Sequence, residues 1–589
     1  MADSNTTTEE FRLSGIPVSP GVVHGPLEVL TSEELLVPKN KIAPGSWPEE
    51  IARLEAALVK TRREVIAIKE HLSASIGEKD ASIFDAHLLV LEDSSLIDAV
   101  RKQIEQRNLC VEIVFHHLIQ NYAQSMRQMD DAYLRERASD ILDVGRRVLS
   151  NLLGANPSDK YNLEKPSIIL AHDLSPSDTA MLDRSKVLGF VTDIGSRTSH
   201  TAIMARSLNI PAVVGLKDAS HKLGRGLEVI LDGHEGLLIV NPSAQTKFEY
   251  GQLEHKRHQV DAQLESLRGT EAITKDGRKV ILSANVELPE DFPLIRQSGA
   301  EGVGLYRTEF LFLNRLELPT EQEQIEIYRR VIESSSPHPV IFRTLDIGGD
   351  KMLDHLGSIE EMNPFLGWRA IRYTLERQDI FRTQLRAICR AGEGVKVRIM
   401  FPMICTFEEL QQSKQVLAEV LEELQREGVG FTRDIEIGTM IETPAAVLIT
   451  NRLAREVQFF SIGTNDLIQY TIAVDRLNEK VAYLYQPTHP SIISLISHTV
   501  KSAHDANIWV GVCGEMSSEL LLVPLLLGLG VDELSMGPNF LSRAKAAIQS
   551  LHYQDMQKLV AELQTLNTAD EIMSRLEQVA EAHFAHLLD

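Results

Sequence analysis

The chain has 589 residues, of which 43% are hydrophobic and 24% charged. This is the composition of an ordinary globular protein with room for about three or four domains of roughly 150 residues each. A net charge of −23 argues against a nucleic-acid or anionic-membrane binder and leaves an acidic face to offer a basic partner. The four cysteines, Cys110, Cys389, Cys405 and Cys513, form no CxxC pair, so neither a metal knuckle nor a disulfide framework is expected and a reducing cytoplasm is.

The opening MADSNTTTEE is polar and acidic, unlike a secretion leader. Residues 1–12 are expected to be disordered. Residues 14–30 (SGIPVSPGVVHGPLEVL) read as strand and turn. The character changes at Ser46-Trp47-Pro48-Glu49, a helix start with capping-box residues. Ile51, Leu54, Leu58, Val65, Ile68 and Leu72 follow at helical spacing. Residues 46–154 are predicted to be an antiparallel helical bundle. It holds His87, His116 and His117 but no cluster of catalytic residue types.

Residues 166–242 alternate short apolar strands with turns and one helix. They predict a small α/β unit, 13–45 with 155–242, into which the bundle is inserted. Within it, 192–215 reads TDIGSRTSHTAIMARSLNIPAVVG. A loop ending in Arg197-Thr198-Ser199 delivers His200 to a helix start that Thr198 or Ser199 can cap. Free N–H groups and the positive dipole end make that turn an anion site, so an imidazole there suits phosphoryl transfer. A histidine that only packs against its turn fits the same residues, and the rest of the chain decides between the two. Residues 243–270 are polar and helical and are expected to link domains.

From residue 278 apolar strands recur at 279–284, 302–307, 339–344, 397–401, 435–441, 458–462, 508–513 and 532–536, separated by helical segments. Eight such repeats predict a (β/α)8 barrel over 271–589, with a doubly wound open sheet as the alternative. No apolar run reaches the ~20 residues of a membrane span; the longest, 520–529, is broken by Pro524 and Gly528.

Barrel chemistry gathers at the C-terminal strand ends. There the sequence sets Arg307, Arg343, Glu442, Asn465-Asp466 with Arg476, and Cys513. Singly each could be an ion-pair or packing residue, but charged groups gathered at one face need a ligand. Three arginines suit phosphate or carboxylate. Glu442 and Asp466 suit Mg2+ completed by substrate, and a thiol can deliver a proton. Phosphoenolpyruvate, doubly anionic and protonated at carbon once its phosphoryl group leaves, fits this set.

GSRTSHTAIMARSLNIPAVVG, GLYRTEFLF, RTLDIGGDK, NPFLGWRAIR, IGTMIETPAA, SIGTNDLIQYTIAVDR and GVCGEM together resemble the phosphoenolpyruvate-utilising phosphotransferases, in particular the Enzyme I branch of bacterial sugar phosphotransferase systems. The resemblance runs from about residue 13 to the C-terminus. It implies that His200 accepts the phosphoryl group, that Arg307, Arg343, Asn465, Asp466 and Arg476 bind phosphoenolpyruvate, that Glu442 and Asp466 hold Mg2+, and that Cys513 protonates the enolate. Arg369 is a weaker candidate for the same pocket, and Thr179 matches a position near the histidine. The resemblance further implies that the 46–154 bundle docks the histidine-containing phosphocarrier protein (HPr), that the barrel forms a homodimer, and that the reaction opens sugar uptake. Ser196 stands where the family more usually has a second glycine. Alternatives are a nitrogen-related paralogue, whose extra N-terminal domain this chain is expected to lack, and a non-catalytic regulatory homologue. A nucleotide-dependent synthase or dikinase lacks room for its nucleotide domain in the helical insert.

Overall fold

A computed structural model describes residues 9–30, 37–76 apart from 39 and 44, 83–127 apart from 93, 132–154, and 163–208 apart from 164, 175–177, 180–181 and 197–198; it further describes 210–348 apart from 314 and 316, and 362–588 apart from 477 and 479. The chain forms two compact units, 1–256 and 257–589.

The first unit is built on β1 (Phe11–Ser14), β2 (Ile16–Ser19), β3 (Val22–Leu30), β4 (Ser167–Ala171), β5 (Val187–Thr192), β6 (Ala212–Val214), β7 (Glu228–Asp232) and β8 (Leu237–Val240). Among the described residues they form one sheet in the order β1-β8-β7-β3-β4-β5-β6-β2. Strands β3 to β6 run parallel, and the outer pairs are antiparallel. Both faces are covered. Leu27, Val29, Leu170 and Val213 face one core, while Leu30, Ile169, Phe190 and Val214 face another that continues into the helical insert. Two-sided burial is why β4 reads as an unbroken apolar run rather than an alternating one.

The insert comprises α1 (Trp47–Ile76), α2 (Ile83–Leu91), α3 (Ser94–Arg107), α4 (Val111–Arg127) and α5 (Ala132–Leu153). It ends, as its sequence indicates, at Gly154, held at φ +69°, a conformation glycine adopts without steric cost. His87 is a buried core residue between Asp140 and Asp143. Among the described residues three α-helices follow: α6 (His200–Ser207), α7 (Ala219–Lys222), and the longer, polar α8 (Ala244–Ser266), within which the division between the units falls.

The N-terminus departs from expectation. Residues 1–8 lie outside the described residues, but Phe11 and Arg12 belong to β1, paired with β8 at Val240 and Ile239. Glu10 anchors this strand. Its carboxylate accepts from Ser243 N at 2.7 Å and from Thr246 Oγ1 at 2.6 Å.

The second unit is a closed parallel barrel of β9 (Ile281–Val286), β10 (Val303–Tyr306), β11 (Val340–Arg343), β12 (Val397–Phe401), β13 (Ile435–Ile441), β14 (Phe459–Ile462), β15 (Trp509–Val512) and β16 (Glu533–Met536). The helices Glu321–Ser335, Phe407–Glu427 and Ala569–Phe584 each begin with a threonine capping box, from Thr320, Thr406 and Thr568, which satisfies orphan N–H groups at the first turn. Inside the barrel, Leu305, Ile341, Met400, Met440, Phe459 and Cys513 form one cluster. Towards the N-terminal strand ends, Trp509 stacks on Phe459 with centroids 4.6 Å apart. The Arg398 guanidinium lies over Trp509 and pairs with Glu436 at 2.7 Å. The interior is thus plugged below, and its open end is the one with the C-terminal strand ends. No helix among the described residues is long and apolar enough to cross a membrane.

Candidate active site

A cavity of about 300 Å3 opens at that end, lined by Arg307, Arg343, Asp346, Arg369, Glu442, Asn465, Asp466, Arg476 and Cys513 with several small and apolar residues. The strand register explains the gathering. Arg343 is the last residue of β11, while Arg307, Glu442 and Cys513 are the first residues after β10, β13 and β15. Asn465 and Asp466 lie in the helix Thr464–Ile472 that follows β14.

The charges interlock. Arg343 donates to Glu309 at 2.9 Å and pairs with Asp346 at 3.1 Å. Glu309 also accepts from Asp346 N at 3.0 Å. Arg369 forks onto Asp346 at 3.0 Å, reaches Asp466 at 3.1 Å, and donates to the Tyr470 hydroxyl at 3.0 Å. Burial works against the charge of both arginines, but the carboxylates around them hold each above its ordinary pKa. Glu442 is fully enclosed and accepts from Met403 N at 2.5 Å. Burial raises its pKa, the charges of Asp466 and Asp346 raise it further, and Arg343 and Arg369 oppose them. Met403 itself sits at φ +55°, a left-handed conformation that costs a non-glycine residue about 1–2 kcal/mol. The strain aims its N–H at Glu442.

The arginines are not fully spent. Arg307 Nε, Arg343 Nε and Arg476 Nη1 are buried donors without a hydrogen-bond acceptor. Such donors are rare unless a ligand or solvent takes them up. Asn465 is held in place by Glu515, accepting from its N–H at 2.8 Å and donating to its carboxylate at 3.0 Å. Arg307 is half-exposed and lies 3.6 Å from Glu287. The Cys513 thiol is pushed up to about 11 by burial and therefore holds its proton at neutral pH.

In the first unit, β5 runs into the turn that leads to His200, the first residue of α6. Arg197, Thr198 and the side chain of His200 lie outside the described residues. Ser199 occupies the N-cap position, but its hydroxyl makes no cap bond and donates instead to Ser196 O at 2.9 Å. The anticipated side-chain cap is therefore absent at Ser199; the loop uses that hydroxyl to close its own turn. Gly195 sits at φ +137°, where a side chain is strained, whereas Ser196 is not among the residues with positive φ. The serine thus costs the turn nothing in backbone strain. Thr201 ties the start of α6 to Leu174 O at 3.0 Å, and Thr179 is buried.

The sequence of this chain is similar along almost all its length to curated phosphoenolpyruvate-protein phosphotransferases. That of Geobacillus stearothermophilus is 46% identical over 565 residues, covering 96% of this chain and 97% of the relative. That of Bacillus subtilis is 44% identical, covering 95% and 98%. The chain belongs to the phosphoenolpyruvate-protein phosphotransferase family. Three domains of the PEP-utilising enzymes match in turn: the N-terminal domain over 14–137, the mobile domain over 163–236 and the PEP-binding domain over 261–553. A solution structure described as Enzyme I is 40% identical, with a TM-score of 0.37, covering 42% of this chain and 99% of its own.

In this phosphotransferase every residue lining the barrel cavity falls within the matched PEP-binding domain, and His200 falls within the mobile domain. The structure gathers Arg307, Arg343, Glu442, Asn465, Asp466, Arg476 and Cys513 at one mouth, and it makes Arg369 a buried centre of that mouth rather than a marginal candidate. Asp346, Glu309 and Tyr470 went unread in the sequence. The first two lie inside RTLDIGGDK and GLYRTEFLF, where an acid so close to a strand-end arginine was the available signal.

Proposed function

We propose that this protein takes the phosphoryl group of phosphoenolpyruvate onto His200, releases pyruvate, and passes the group to a histidine of HPr, the opening step of sugar uptake. The observation that carries the reading is the set of buried arginine donors without acceptors around one cavity. Four arginines line it against three carboxylates, Asp346, Glu442 and Asp466, and Glu309, paired with Arg343, is a fourth, so the mouth by itself is about neutral. Phosphoenolpyruvate brings roughly three negative charges, one from its carboxylate and up to two from its phosphate. The filled mouth would then be about three charges negative, an excess that a divalent cation would largely offset. The donor set fits that cation: hard carboxylate oxygens on Glu442 and Asp466, the first raised in pKa by burial and by its carboxylate neighbours, suit Mg2+ completed by substrate oxygens. When bound, Mg2+ supplies charge neutralisation on the transferring phosphate.

The chain's own residues do the rest. Arg307, Arg343 and Arg476 hold the two anionic ends, and Asn465, held by Glu515, orients the phosphate. An imidazole nitrogen of His200 attacks phosphorus, and the phosphorus–oxygen bond breaks with its electron pair left on the enolate. The Cys513 thiol gives its proton to the enolate carbon, forming pyruvate, and the thiolate recovers a proton from solvent. The helical insert is the docking surface for HPr, and the barrel pairs with a second copy to form a homodimer. Incubation with labelled phosphoenolpyruvate and Mg2+ tests the assignment. Acid-labile label is expected on the full chain and absent from His200→Ala, which should still bind phosphoenolpyruvate. Label persisting on that variant would overturn the acceptor.

A further inference from the structure

We propose that His172, Asp193 and His221 form a second metal site, for a zinc-like divalent ion, at the base of the turn that presents His200. Strands β4 and β5 pair in parallel with Ala171 opposite Thr192, so the next residues, His172 and Asp193, emerge side by side. Two backbone bonds lock them there, Asp193 N to Ala171 O at 3.1 Å and Ile194 N to His172 O at 3.2 Å. Helix α7 brings the third group. His221 sits beside Ser220, whose N–H donates to Asp193 Oδ1 at 2.9 Å and whose hydroxyl donates to Oδ2. One ligand atom from each of the three residues lies within 4.8 Å of the others. His172 Nδ1 is 3.2 Å from Asp193 Oδ2, and the two rings are 6.2 Å apart.

The carboxylate is the fixed member. Asp193 is buried, and its oxygens are oriented by Ser220, as outer-shell hydrogen bonds orient metal ligands. Both imidazoles are exposed and free to turn the short distance to metal bonds of about 2.0–2.1 Å. Two imidazoles and one carboxylate leave positions open for water. They favour zinc, cobalt, nickel or copper over magnesium and calcium, which prefer all-oxygen shells. The site therefore differs in kind from the carboxylate pair in the barrel. An ion here would pin β4, β5 and α7 together just after Thr192, restraining the start of the segment that leads to His200. That consequence rests on the proposed role of His200; the metal site itself does not.

Zinc binding to the full chain, measured against a chromophoric chelator with Mg2+ in millimolar excess, tests the site. One equivalent is expected on the unaltered protein. It should weaken at least tenfold in His172→Gln and in His221→Gln, stay in Glu442→Gln, and stay in His200→Ala. Cobalt in place of zinc should give visible absorption that His221→Gln abolishes. No zinc uptake by the unaltered chain, or equal uptake by a His172→Gln/His221→Gln double variant with unchanged circular dichroism, would overturn the site. Zinc should also slow labelling by phosphoenolpyruvate in the unaltered chain but not in His221→Gln. Zinc uptake without that difference would leave the site standing and refute the restraint on the loop.

Discussion

At the scale of single residues, the barrel mouth separates groups that are held from groups proposed to react. Arg369 is held. Its fork spans Asp346 and Asp466 with a side chain only 10% exposed, and removal of one partner from a buried ion cluster leaves the others uncompensated. Arg369→Met is expected to cost about 3–5 kcal/mol, read from urea unfolding of the barrel unit, and an unchanged midpoint would show that solvent already compensates these carboxylates. Cys513 is the group proposed to react. Its thiol keeps its proton because burial pushes it up to about 11, and its contact to Ile462 O, at 3.7 Å, is a weak one. Cys513→Ala should slow pyruvate formation severely while phosphoenolpyruvate binding, read by calorimetry, stays nearly as tight. Normal turnover in that variant would remove the thiol from the mechanism. Cys389, also buried and pushed up to about 12, lies in the core among helix residues and has no such role.

At the scale of elements, the small sheet depends on a tether that no hydrophobic pattern announces. Glu10 joins the start of β1 to the start of α8. The hydroxyl of Thr246 and the backbone N–H of Ser243 hold its carboxyl down to about 2 from an ordinary 4.5. A carboxylate whose pKa is lowered by folding stabilises the fold fully above its unfolded value, and that contribution is lost as pH falls through the folded one. Glu10→Gln should therefore lower the melting temperature of the first unit at pH 7 by a small amount. The gap between variant and parent should close as pH drops from about 4.5 towards 2. A gap that persisted below pH 2 would assign the effect to packing instead.

At the scale of the whole molecule, the proposed phosphoryl acceptor and the proposed substrate groups lie in different compact units, with the division inside α8. Each unit has its own hydrophobic core, so each is expected to fold when expressed alone. A fragment ending near residue 256 should take phosphate from phosphorylated HPr but not from phosphoenolpyruvate. A fragment beginning near residue 257 should bind phosphoenolpyruvate with Mg2+ and never label HPr. Direct labelling of the first fragment by phosphoenolpyruvate would refute this division of labour.

What the sequence determined by itself is everything that repeats or sits at a strand end. The eight barrel strands lie within a residue or two of their apolar runs, because a strand buried on both sides must be apolar throughout. Arg307, Arg343, Glu442 and Cys513 could be placed at one face because in a parallel barrel all strands end on the same side. What only the tertiary structure decided are partnerships between residues far apart along the chain. Arg369 reads as one arginine in a loop until folding sets it between Asp346 and Asp466. Glu10 reads as part of a loose terminus until β1 pairs with β8 and brings it to Ser243. His172, Asp193 and His221 are separated by 21 and 28 residues, and no local pattern links them. Charge pairs of this kind depend on distances of a few ångströms, which are set by which strands neighbour each other, and neighbourhood in space is the one property that spacing along a chain does not encode.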